Sequence, residues 1–566
     1  MANKYRDLFI TWCDALVRAQ ITDERDANYG GFRCESCDST HGRADNALYP
    51  FVTAYSLTKE QKYLSAAKRL LAFRRKLTQP SGAVQNDFAS PWEGITAFSA
   101  IGLIKTLLYY SAILPEDFRR EIEICAKDSV RWVHEKMVLG FPAYINYYCA
   151  AALVNALSYT YYHDEAYAAR SRELLAYCMG LFTENGLLAG EGKPHDDRSP
   201  KGCLPIDIGY IAEESLPCLV HAATLLKDEA ILAALTEHAR KFLDFMLPDG
   251  GWDNSFGVRN NKWTYYGSRT SDGCIGAFTE LASRDPIFQE AAERTYEILN
   301  KCTREGVLYG GPAYYENGQK PCIHHTFCHA AALADALHAE IEEGKERLSL
   351  PSERAGIWYK HYPEINSYKV RAGSYLTTLS AYDYATHHFT NGAAHAGGGM
   401  ISFLYKDGVG PIVAGSIYDY KLTEPNNMQR PIGGVAHASL LMRAEYETDG
   451  VKYATCLDRA PVIFISSTKS GEIVAIVKSH FRASDNSAIA DNDLASFSYL
   501  FDASGVTIRI VDLPQNARFV LPIVRGAGRV VTENAYEKRP IFFLPGGFAA
   551  DEYTFSGGED LTIKIV

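Results

Sequence analysis

The stretch NYYCAAALVNALSYTYY, residues 146–162, is rich in Ala, Leu and aromatic residues and carries no charged side chain. A helix that is apolar on all sides is buried, whereas an amphipathic helix keeps one face in water. The segment that follows, residues 165–181, has charged residues at amphipathic helical spacing. The two segments together predict a buried inner helix followed by an outer helix that is exposed to solvent.

This pairing of an amphipathic segment with an Ala-rich and Leu-rich segment occurs six times within residues 1–342. The amphipathic segments cover residues 5–20, 61–77, 115–136, 165–181, 229–247 and 286–302. The apolar segments begin, roughly every 50–60 residues, with the polar groups Asp45-Asn46, Trp92-Glu93, Asn146 to Tyr148, Glu213-Glu214, Asp272 and His324-His325. The repeat predicts an (α/α)6 toroid over residues 1–342, with the polar starts around one cavity mouth. A helical solenoid with ordinary N-caps is the alternative.

The second half of the chain has a different pattern. Residues 343–353, EGKERLSLPSE, are charged and contain a proline, which predicts a linker. Over residues 354–566, apolar and polar residues alternate in short runs rich in β-branched and aromatic residues, separated by Gly, Asp and Asn turns. This pattern predicts an antiparallel β-sandwich-like domain. The predicted fold class is therefore a multidomain chain, α then β.

Composition and charge exclude several functions. A formal net charge of −11 without a basic patch argues against a nucleic-acid partner. We find no apolar run of the about 18 residues that a membrane span needs and no signal-peptide core, so we expect a cytoplasmic protein. The 13 Cys are irregularly spaced, which indicates reduced thiols. Cys34-Glu-Ser-Cys37 is a CxxC motif without a second pair, so no metal or cofactor is predicted, and the sequence leaves an oligomer open.

One long connection has the composition of a sugar-binding surface. It reads GWDNSFGVRNNKWTYYGSRTSDG, at residues 251–273. Loops of this length are usually functional, aromatic rings offer apolar faces, and Arg binds carboxylates through paired hydrogen bonds. We expect Arg269 to anchor a uronate carboxylate, with Trp263, Tyr266 and Asp272 beside it. The alternatives are a surface loop held by its own aromatic residues and a structural ion pair at Arg269.

The starts of other inner segments carry residues that could transfer protons or bind a carboxylate. They are Tyr210, Glu213 and Glu214 in the segment DIGYIAEES, and Asn146, Tyr147 and Tyr148. A Tyr or Glu there can act as an acid or a base, and an amide beside a phenol can hold a carboxylate while the phenol moves a proton. The same rim is expected to carry an aromatic platform, an acid and a cation from Trp92, Glu93 and Arg43. Helix capping and aromatic packing are the alternatives.

The last inner segment begins with histidines. His325 and His329 are four residues apart and share a helix face, and His324 precedes them. The run HHTFCH lacks the Glu of the HExxH zinc motif, so we predict no metal there. One of these histidines is expected to act as a base or to contact substrate. The alternative is a buried histidine with a structural role.

Two segments are similar to motifs of the heparinase II/III and alginate-lyase superfamily of polysaccharide lyases. DIGYIAEES at 207–215 resembles that family's Asp-Gly-Tyr-x-x-Glu-Gly/Ser segment. HAGGGMISFLYKDGVGPIVAGS at 395–416 resembles its His-x-His-x-Asp-x-Leu-Ser-Phe strand. His395 is kept and is a candidate substrate contact, but Gly397 and Gly399 replace the second His and the Asp. We therefore expect no zinc site of the family's kind, and expect the glycines to let backbone approach a ligand.

The resemblance implies that the chain cleaves uronic-acid-containing oligosaccharides by β-elimination. Because no leader is evident, we expect the enzyme to meet imported oligosaccharides and to act from the ends of short chains. Asn146 matches the family's carboxylate-neutralising Asn, and Arg269 is the other candidate for that role. The candidates for removing the C5 proton are Tyr147, Tyr148, Tyr210 and His325. The candidates for protonating the leaving oxygen are Tyr266 and Tyr210.

Two other functions fit the same pattern and the same partner, a uronic-acid-containing oligosaccharide. Toroids also resemble unsaturated glucuronyl hydrolases, in which a pair of carboxylates does the acid–base work. The carboxylates available here are Glu93, Glu213, Glu214 and Asp272. The third candidate is a non-catalytic glycan-binding protein. Only elimination leaves a product with a 4,5-double bond, which absorbs in the far ultraviolet.

Overall fold

The computed structural model has an N-terminal part built of helices and a C-terminal part built of β-strands. The residues that it describes are 4–88, 90–260, 275–339, 346–384, 396–422, 428–430, 437–489 and 494–566. The last long helix ends at Ala336, and the first strand of the C-terminal part begins at Ile357. This order of elements confirms the predicted fold class.

The helices form two concentric sets. The outer helices are α1 (Lys4–Ala19), α3 (Gln61–Leu77), α5 (Glu116–Lys136), α7 (Glu165–Met179), α10 (Glu229–Phe242) and α12 (Pro286–Cys302). The inner helices are α2 (Leu48–Thr58), α4 (Thr96–Tyr110), α6 (Ile145–Tyr162), α8 with α9 (Ile208–Tyr210 and Leu216–Leu225), α11 (Ile275–Leu281) and α13 (Ile323–Ala336). Each inner helix packs against the next, and α13 packs against α2, so the ring is closed. The predicted toroid is confirmed.

Helices α5 and α6 show why the two sets differ. Thirteen of the 18 residues of α6 are buried, including the small residues Ala150, Ala151 and Ala152, which allow close approach of neighbouring helices. In α5 only eight of 21 residues are buried, and they recur at helical spacing between Phe118 and Val133. Helix α6 is therefore enclosed by protein, while α5 keeps one face in water, as the sequence pattern predicts.

One inner stretch contradicts the expectation that no segment resembles a membrane span. Residues Thr96–Ile113 are apolar and long enough, by composition, to cross a membrane. They consist of α4 and the short 3-10 turn after it, and 61% of the stretch is buried inside the protein. The composition of this stretch therefore reflects its place in the inner ring.

The C-terminal part contains three antiparallel sheets within the described residues. The first has the strand order β5-β6-β7-β8-β9, the second β11-β10-β16-β19-β18, and the third β12-β13-β14-β15-β20-β17. Their strands are β5 (Ile357–Tyr362), β6 (Ser367–Ala372), β7 (Tyr375–Ser380), β8 (Met400–Lys406), β9 (Gly410–Ala414), β10 (Arg443–Thr448), β11 (Val451–Ala454), β12 (Val462–Ser467), β13 (Ile473–His480), β14 (Leu494–Asp502), β15 (Gly505–Val511), β16 (Arg518–Val524), β17 (Val530–Val531), β18 (Glu537–Phe542), β19 (Ala549–Ser556) and β20 (Leu561–Ile565). One apolar core is shared by side chains from all three sheets, which is a sandwich-like arrangement.

Two short hairpins belong to the helical part. Strands β1 (Arg33–Cys34) and β2 (Ser39–Thr40) pair between α1 and α2, and strands β3 (Thr303–Arg304) and β4 (Val307–Leu308) pair between α12 and α13. Strand β1 lies against α13. The first hairpin therefore touches the last inner helix, next to the place where the ring closes.

The first sheet packs on the end of the toroid at which the inner helices begin. The Tyr382 hydroxyl donates to the Leu204 carbonyl over 2.7 Å, just before α8. Ser255 Oγ lies 2.8 Å from Ser402 Oγ in β8, and Asn260 Nδ2 donates to the Ser416 carbonyl over 3.1 Å. The loops that lead to the toroid mouth are thus fastened to the β-domain.

The glycines of the HAGGGM segment serve packing within the β-domain. A Cβ on Gly397 would lie 3.2 Å from the carbonyl oxygens of Cys456 and Asp458. A Cβ on Gly399, whose φ is +71°, would lie 2.5 Å from a methyl carbon of Val477. The expectation that these glycines let backbone approach a ligand is therefore wrong, because they let segments of the same domain approach one another.

Candidate active site

Polar side chains from three inner helices meet at the mouth of the toroid. Arg43 lies in the 3-10 segment Gly42–Ala47 before α2, Asn146 is in the first turn of α6, and Glu214 lies in the π-helical turn between α8 and α9. Arg43 Nη1 is 3.0 Å from Glu214 Oε1, and Asn146 Nδ2 donates to Glu214 Oε2 over 2.6 Å. All three are buried. The structure thus brings together three residues that were predicted separately.

The pairing of Glu214 limits its chemistry. A carboxylate that accepts hydrogen bonds from both a guanidinium and an amide is stabilised in its charged form. The Arg43 guanidinium also lies 3.9 Å from the centre of the Phe98 ring, which fixes its position. Glu213 lines the cavity beside Glu214. This arrangement suits Glu214 to orienting Arg43 and Asn146 better than to donating a proton.

The local fold around Tyr210 and Glu214 depends on Asp207. The Asp207 carboxylate caps α8 by accepting from the backbone N–H groups of Gly209 and Tyr210, each over 3.1 Å. It also accepts from Asn254 Nδ2 over 3.1 Å and from the Arg259 backbone N–H over 2.8 Å. The π-helical turn that follows is a local irregularity that is often found at functional sites. Asp207 therefore joins the start of this inner helix to the loop at 251–260.

Tyr147 is held at the mouth by a hydrogen bond from Trp92 and by ring contacts with Trp92 and Phe98. The Trp92 indole N–H donates to the Tyr147 hydroxyl over 2.9 Å, and the side chain is half-buried. Burial and the Glu214 carboxylate raise the pKa of Tyr147 to about 12. The hydrogen bond from Trp92 and the charges of Arg43 and Arg259 act in the opposite direction. The pKa of Tyr147 therefore stays above its usual value, and one N–H group and two cations limit the rise.

Arg259 was not predicted as a site residue, although it lies in the same long loop as Arg269. Its guanidinium carbon is 4.9 Å from the centre of the Tyr210 ring and 5.2 Å from that of Tyr144. Arg259 Nη1 is 3.7 Å from a buried Glu191 carboxylate oxygen. Lys193 adds a second cation, 5.3 Å from the Tyr144 ring. The available signal was a second Arg in a loop already rich in Trp, Tyr and Asn.

Tyr148 does not share the environment of Tyr147, and its contacts do not favour the predicted catalytic role. Its hydroxyl donates to the Phe141 carbonyl over 2.8 Å. Its ring packs edge-on against His195, with centroids 4.7 Å apart, and close to the Tyr177 ring. Successive residues of a helix point about 100° apart, so Tyr147 and Tyr148 leave α6 in different directions.

The histidines at the start of α13 also separate. His324 packs 4.9 Å from the His41 ring, beside the first hairpin. His325 packs on His329, and the latter lies edge-on to Trp12 of outer helix α1. Burial lowers the pKa of His329 to about 4. His325 thus belongs to the packing between inner and outer helices, and its predicted role as a base is not supported by this placement.

Several predicted residues lie elsewhere. Glu93 is half-buried, and its carbonyl caps α4 by accepting from Thr96. The described part of the chain shows no contact of the Glu93 carboxylate with the cluster of Arg43, Asn146 and Glu214. The residues Trp263, Tyr266, Arg269, Asp272 and His395 lie outside the described residues.

Below the mouth, the cavity carries a second polar layer that sequence analysis did not single out. Lys105 Nζ is 2.6 Å from Asp335 Oδ2, and His221 Nδ1 is 3.7 Å from Glu280 Oε2. Burial raises the pKa of Glu280 to about 7 and lowers that of His221 to about 3. The available signal was an ionisable residue within each of the largely apolar helices α4, α9, α11 and α13.

Comparison with known proteins gives two family matches. The chain matches the ulvan lyase N-terminal domain over residues 9–353 and the ulvan lyase C-terminal domain over residues 359–541. A curated relative, a broad-specificity ulvan lyase from Formosa agariphila, is 32% identical over 534 residues. That alignment covers 92% of this chain and 82% of the relative.

Among solved structures, heparinase III is similar in fold, with a TM-score of 0.50 and 11% identity over 93% of this chain and 76% of its own. This likeness confirms the predicted fold, a helical toroid followed by a β-domain. The family matches confirm elimination over the hydrolytic and non-catalytic alternatives. The chain therefore belongs to the ulvan lyase family and is a polysaccharide lyase that acts by β-elimination.

Proposed function

We propose that this enzyme cleaves ulvan, or a closely similar uronic-acid-containing polysaccharide, at the mouth of the toroid. Two observations support this. The relative that aligns over 92% of the chain is named a broad-specificity ulvan lyase. The mouth also combines an amide and two arginines with two tyrosines, which is the set of groups that elimination from a uronate requires. Neutralising the carboxylate is needed because the negative charge otherwise opposes loss of the C5 proton.

Asn146 and Arg43 are assigned to the uronate carboxylate. Asn146 uses one amide N–H for Glu214, and the geometry of an amide leaves a second N–H for a ligand. Its Oδ1 accepts no hydrogen bond from any residue that the structure describes. Arg43 is joined to the same Glu214. Glu214 therefore orients an amide and a cation toward one point in the cleft.

Tyr147 is assigned as the base. The single observation that carries this assignment is the 2.9 Å hydrogen bond that its oxygen accepts from the Trp92 indole. Because Trp92 can only donate, it favours the ionised phenol and leaves the oxygen's remaining lone pairs for a proton from substrate. The nearby charges of Arg43 and Arg259 act in the same direction.

Tyr210 is assigned as the acid for the leaving oxygen. Its ring lies against the Arg259 guanidinium at 4.9 Å, so the phenolate that forms when it gives up its proton is close to a cation. Arg259 influences both phenols, since it also lowers the pKa of Tyr147. One arginine thus supports the two tyrosines in their opposite roles.

The step balances with these groups alone. The Tyr147 phenolate takes the proton from C5, and the electron pair of that bond forms the C4–C5 double bond. The bond between C4 and its glycosidic oxygen breaks, and that oxygen takes the proton of Tyr210. Tyr147 ends protonated and Tyr210 ionised, and exchange with solvent restores the starting state.

The experiment is cleavage of ulvan, followed by far-ultraviolet absorbance and by the count of new reducing ends. Tyr147→Phe keeps the ring and removes the base, so we expect kcat to fall by at least about 100-fold. Tyr148→Phe is the matched control on the next residue, because its hydroxyl donates to the Phe141 carbonyl, away from the cluster of Arg43, Asn146 and Glu214. It is expected to keep kcat within about threefold of the wild type.

Three outcomes would count against the proposal. New reducing ends without new absorbance would contradict elimination at this site. Equal losses in Tyr147→Phe and Tyr148→Phe would contradict the assigned base. Activity on another uronate polymer with none on ulvan would contradict the substrate and leave the assigned residues intact.

A further inference from the structure

Four metal-ligating side chains meet where the ring of inner helices closes. Cys34 ends β1, Cys37 lies in the turn between β1 and β2, and His41 follows β2. Cys322 directly precedes α13, the last inner helix. All four are buried, with exposed fractions of 5% or less.

The distances in this group match those between the ligands of one zinc ion. Cys34 Sγ is 3.7 Å from Cys322 Sγ, and Cys37 Sγ is 3.3 Å from His41 Nε2. The ligand atoms of Cys34, Cys37 and His41 all lie within 4.8 Å of one another. Two thiolates on tetrahedral zinc, each about 2.3 Å from the metal, are roughly 3.8 Å apart. The three side chains of the first hairpin therefore lie close enough to share one metal ion, and Cys322 Sγ stands beside Cys34 Sγ as a fourth donor.

We propose that Cys34, Cys37, His41 and Cys322 bind one structural zinc ion that closes the helical ring. Three thiolates and one imidazole are a common ligand set for structural zinc, and four protein ligands leave no position for water or substrate. The ion joins the first hairpin to the start of the last inner helix, across 288 residues of sequence. It stabilises the toroid and takes no part in the elimination.

The site is also placed to support the active-site cleft. Arg43 follows His41 by two residues, and its segment Gly42–Ala47 leads into α2. The Gly42 backbone N–H donates to the Asn86 carbonyl over 2.5 Å, so this segment is held on its other side as well. Zinc at His41 would fix the start of the segment from which Arg43 reaches Glu214.

A second pair of cysteines provides a matched control. Cys149 Sγ and Cys178 Sγ are 3.8 Å apart and both residues are buried, nearly as for Cys34 and Cys322. Among the described residues, no further histidine, cysteine or carboxylate completes a metal-ligating group around this pair. A short distance between two sulfurs is thus common to both cysteine pairs. Among the described residues, only the pair of Cys34 and Cys322 has a third and a fourth candidate ligand beside it.

The test is the metal content and the cobalt spectrum of the intact chain. We expect about one zinc per chain by mass spectrometry of metals in the wild type and in Cys149→Ala, and less than about 0.1 per chain in Cys322→Ala. Replacing the zinc with Co²⁺ is expected to give thiolate charge-transfer bands together with the visible bands of tetrahedral cobalt. The wild-type spectrum reports the ligands directly, so the test stands even where Cys322→Ala fails to fold.

Three results would overturn the proposal. The first is wild-type protein, produced with added zinc, that holds no zinc and shows no thiolate–cobalt bands. The second is a disulfide between Cys34 and Cys322 in peptides mapped without reduction. The third is equal loss of zinc in Cys149→Ala and Cys322→Ala when both variants fold.

Discussion

Arg74 and Asp45 form an ion pair inside the toroid, and breaking it is expected to destabilise the fold. Arg74 Nε is 3.1 Å from Asp45 Oδ2, and each side chain is only 1% exposed. Arg74 also donates to Ser99 Oγ over 2.8 Å. Arg74→Met keeps most of the volume and removes the charge, so the Asp45 carboxylate stays buried without its partner. Removing one member of a buried pair costs about 3–5 kcal/mol.

The measurement is thermal unfolding. A helical unit of about 340 residues has an unfolding entropy of about 0.7 kcal/mol/K, so this loss lowers the Tm by about 4–7 °C. Adding Asp45→Asn to Arg74→Met removes the orphaned charge and is expected to recover part of the loss. The control is Arg131→Met, because the pair of Arg131 with Asp128 at 3.1 Å is half exposed and contributes less than about 1 kcal/mol.

The stability of Arg74→Met is also expected to depend on pH. Burial already raises the pKa of Asp45 in the wild type, and the loss of Arg74 removes a charge that opposes that shift. Protonation then relieves the unpaired carboxylate, so the Tm deficit of Arg74→Met is expected to narrow between pH 7 and pH 5. A deficit no larger than that of Arg131→Met, or one that widens in acid, would refute the argument.

Three further predictions concern the cleft and the core. Trp92→Phe removes the N–H that donates to the Tyr147 hydroxyl and is expected to lower kcat/KM by about 3- to 100-fold. The control is Trp132→Phe, because Trp132 has no described contact with that hydroxyl, and it is expected to leave kcat/KM unchanged. Arg259→Gln is expected to raise the pKa of Tyr147 and move the alkaline rise of kcat/KM to higher pH, and a shift to lower pH would contradict this. His329 has its pKa lowered to about 4 by burial, so stability falls from about pH 6.5 toward pH 4; His329→Asn should make the Tm less sensitive to acid, and an unchanged slope would count against it.

The sequence alone predicts the architecture, because the architecture follows from the spacing of apolar residues within each helix or strand. Fully apolar segments such as residues 146–162 alternate with amphipathic ones, and this alternation gives an inner and an outer ring without knowledge of any contact. The change to short alternating runs after residue 353 likewise predicts antiparallel sheets. Each of these features depends on neighbours within one helix or strand.

Part of the candidate site could also be predicted. Asn146, Tyr210 and Glu214 stand at the starts of inner helices, and a closed ring places such starts around one mouth. The sequence could not decide between Tyr147 and Tyr148. Neighbouring residues of a helix point about 100° apart, and the rotation of α6 about its axis is set by its packing against other helices. The rotation of α13 about its axis was likewise undetermined by the sequence. In the structure, this rotation places His325 toward the outer helices.

Only the tertiary structure decided which residues from distant segments contact one another. Glu214 is 171 residues from Arg43, and Cys322 is 288 residues from Cys34. A CxxC motif at 34–37 without a second pair looked incomplete, because its remaining ligands come from beyond β2 and from the other end of the ring. The sequence by itself determined which elements form and which faces they bury, since those follow from local spacing. The closing of the ring determines which side chains meet in the cleft. No local sequence pattern predicts these contacts.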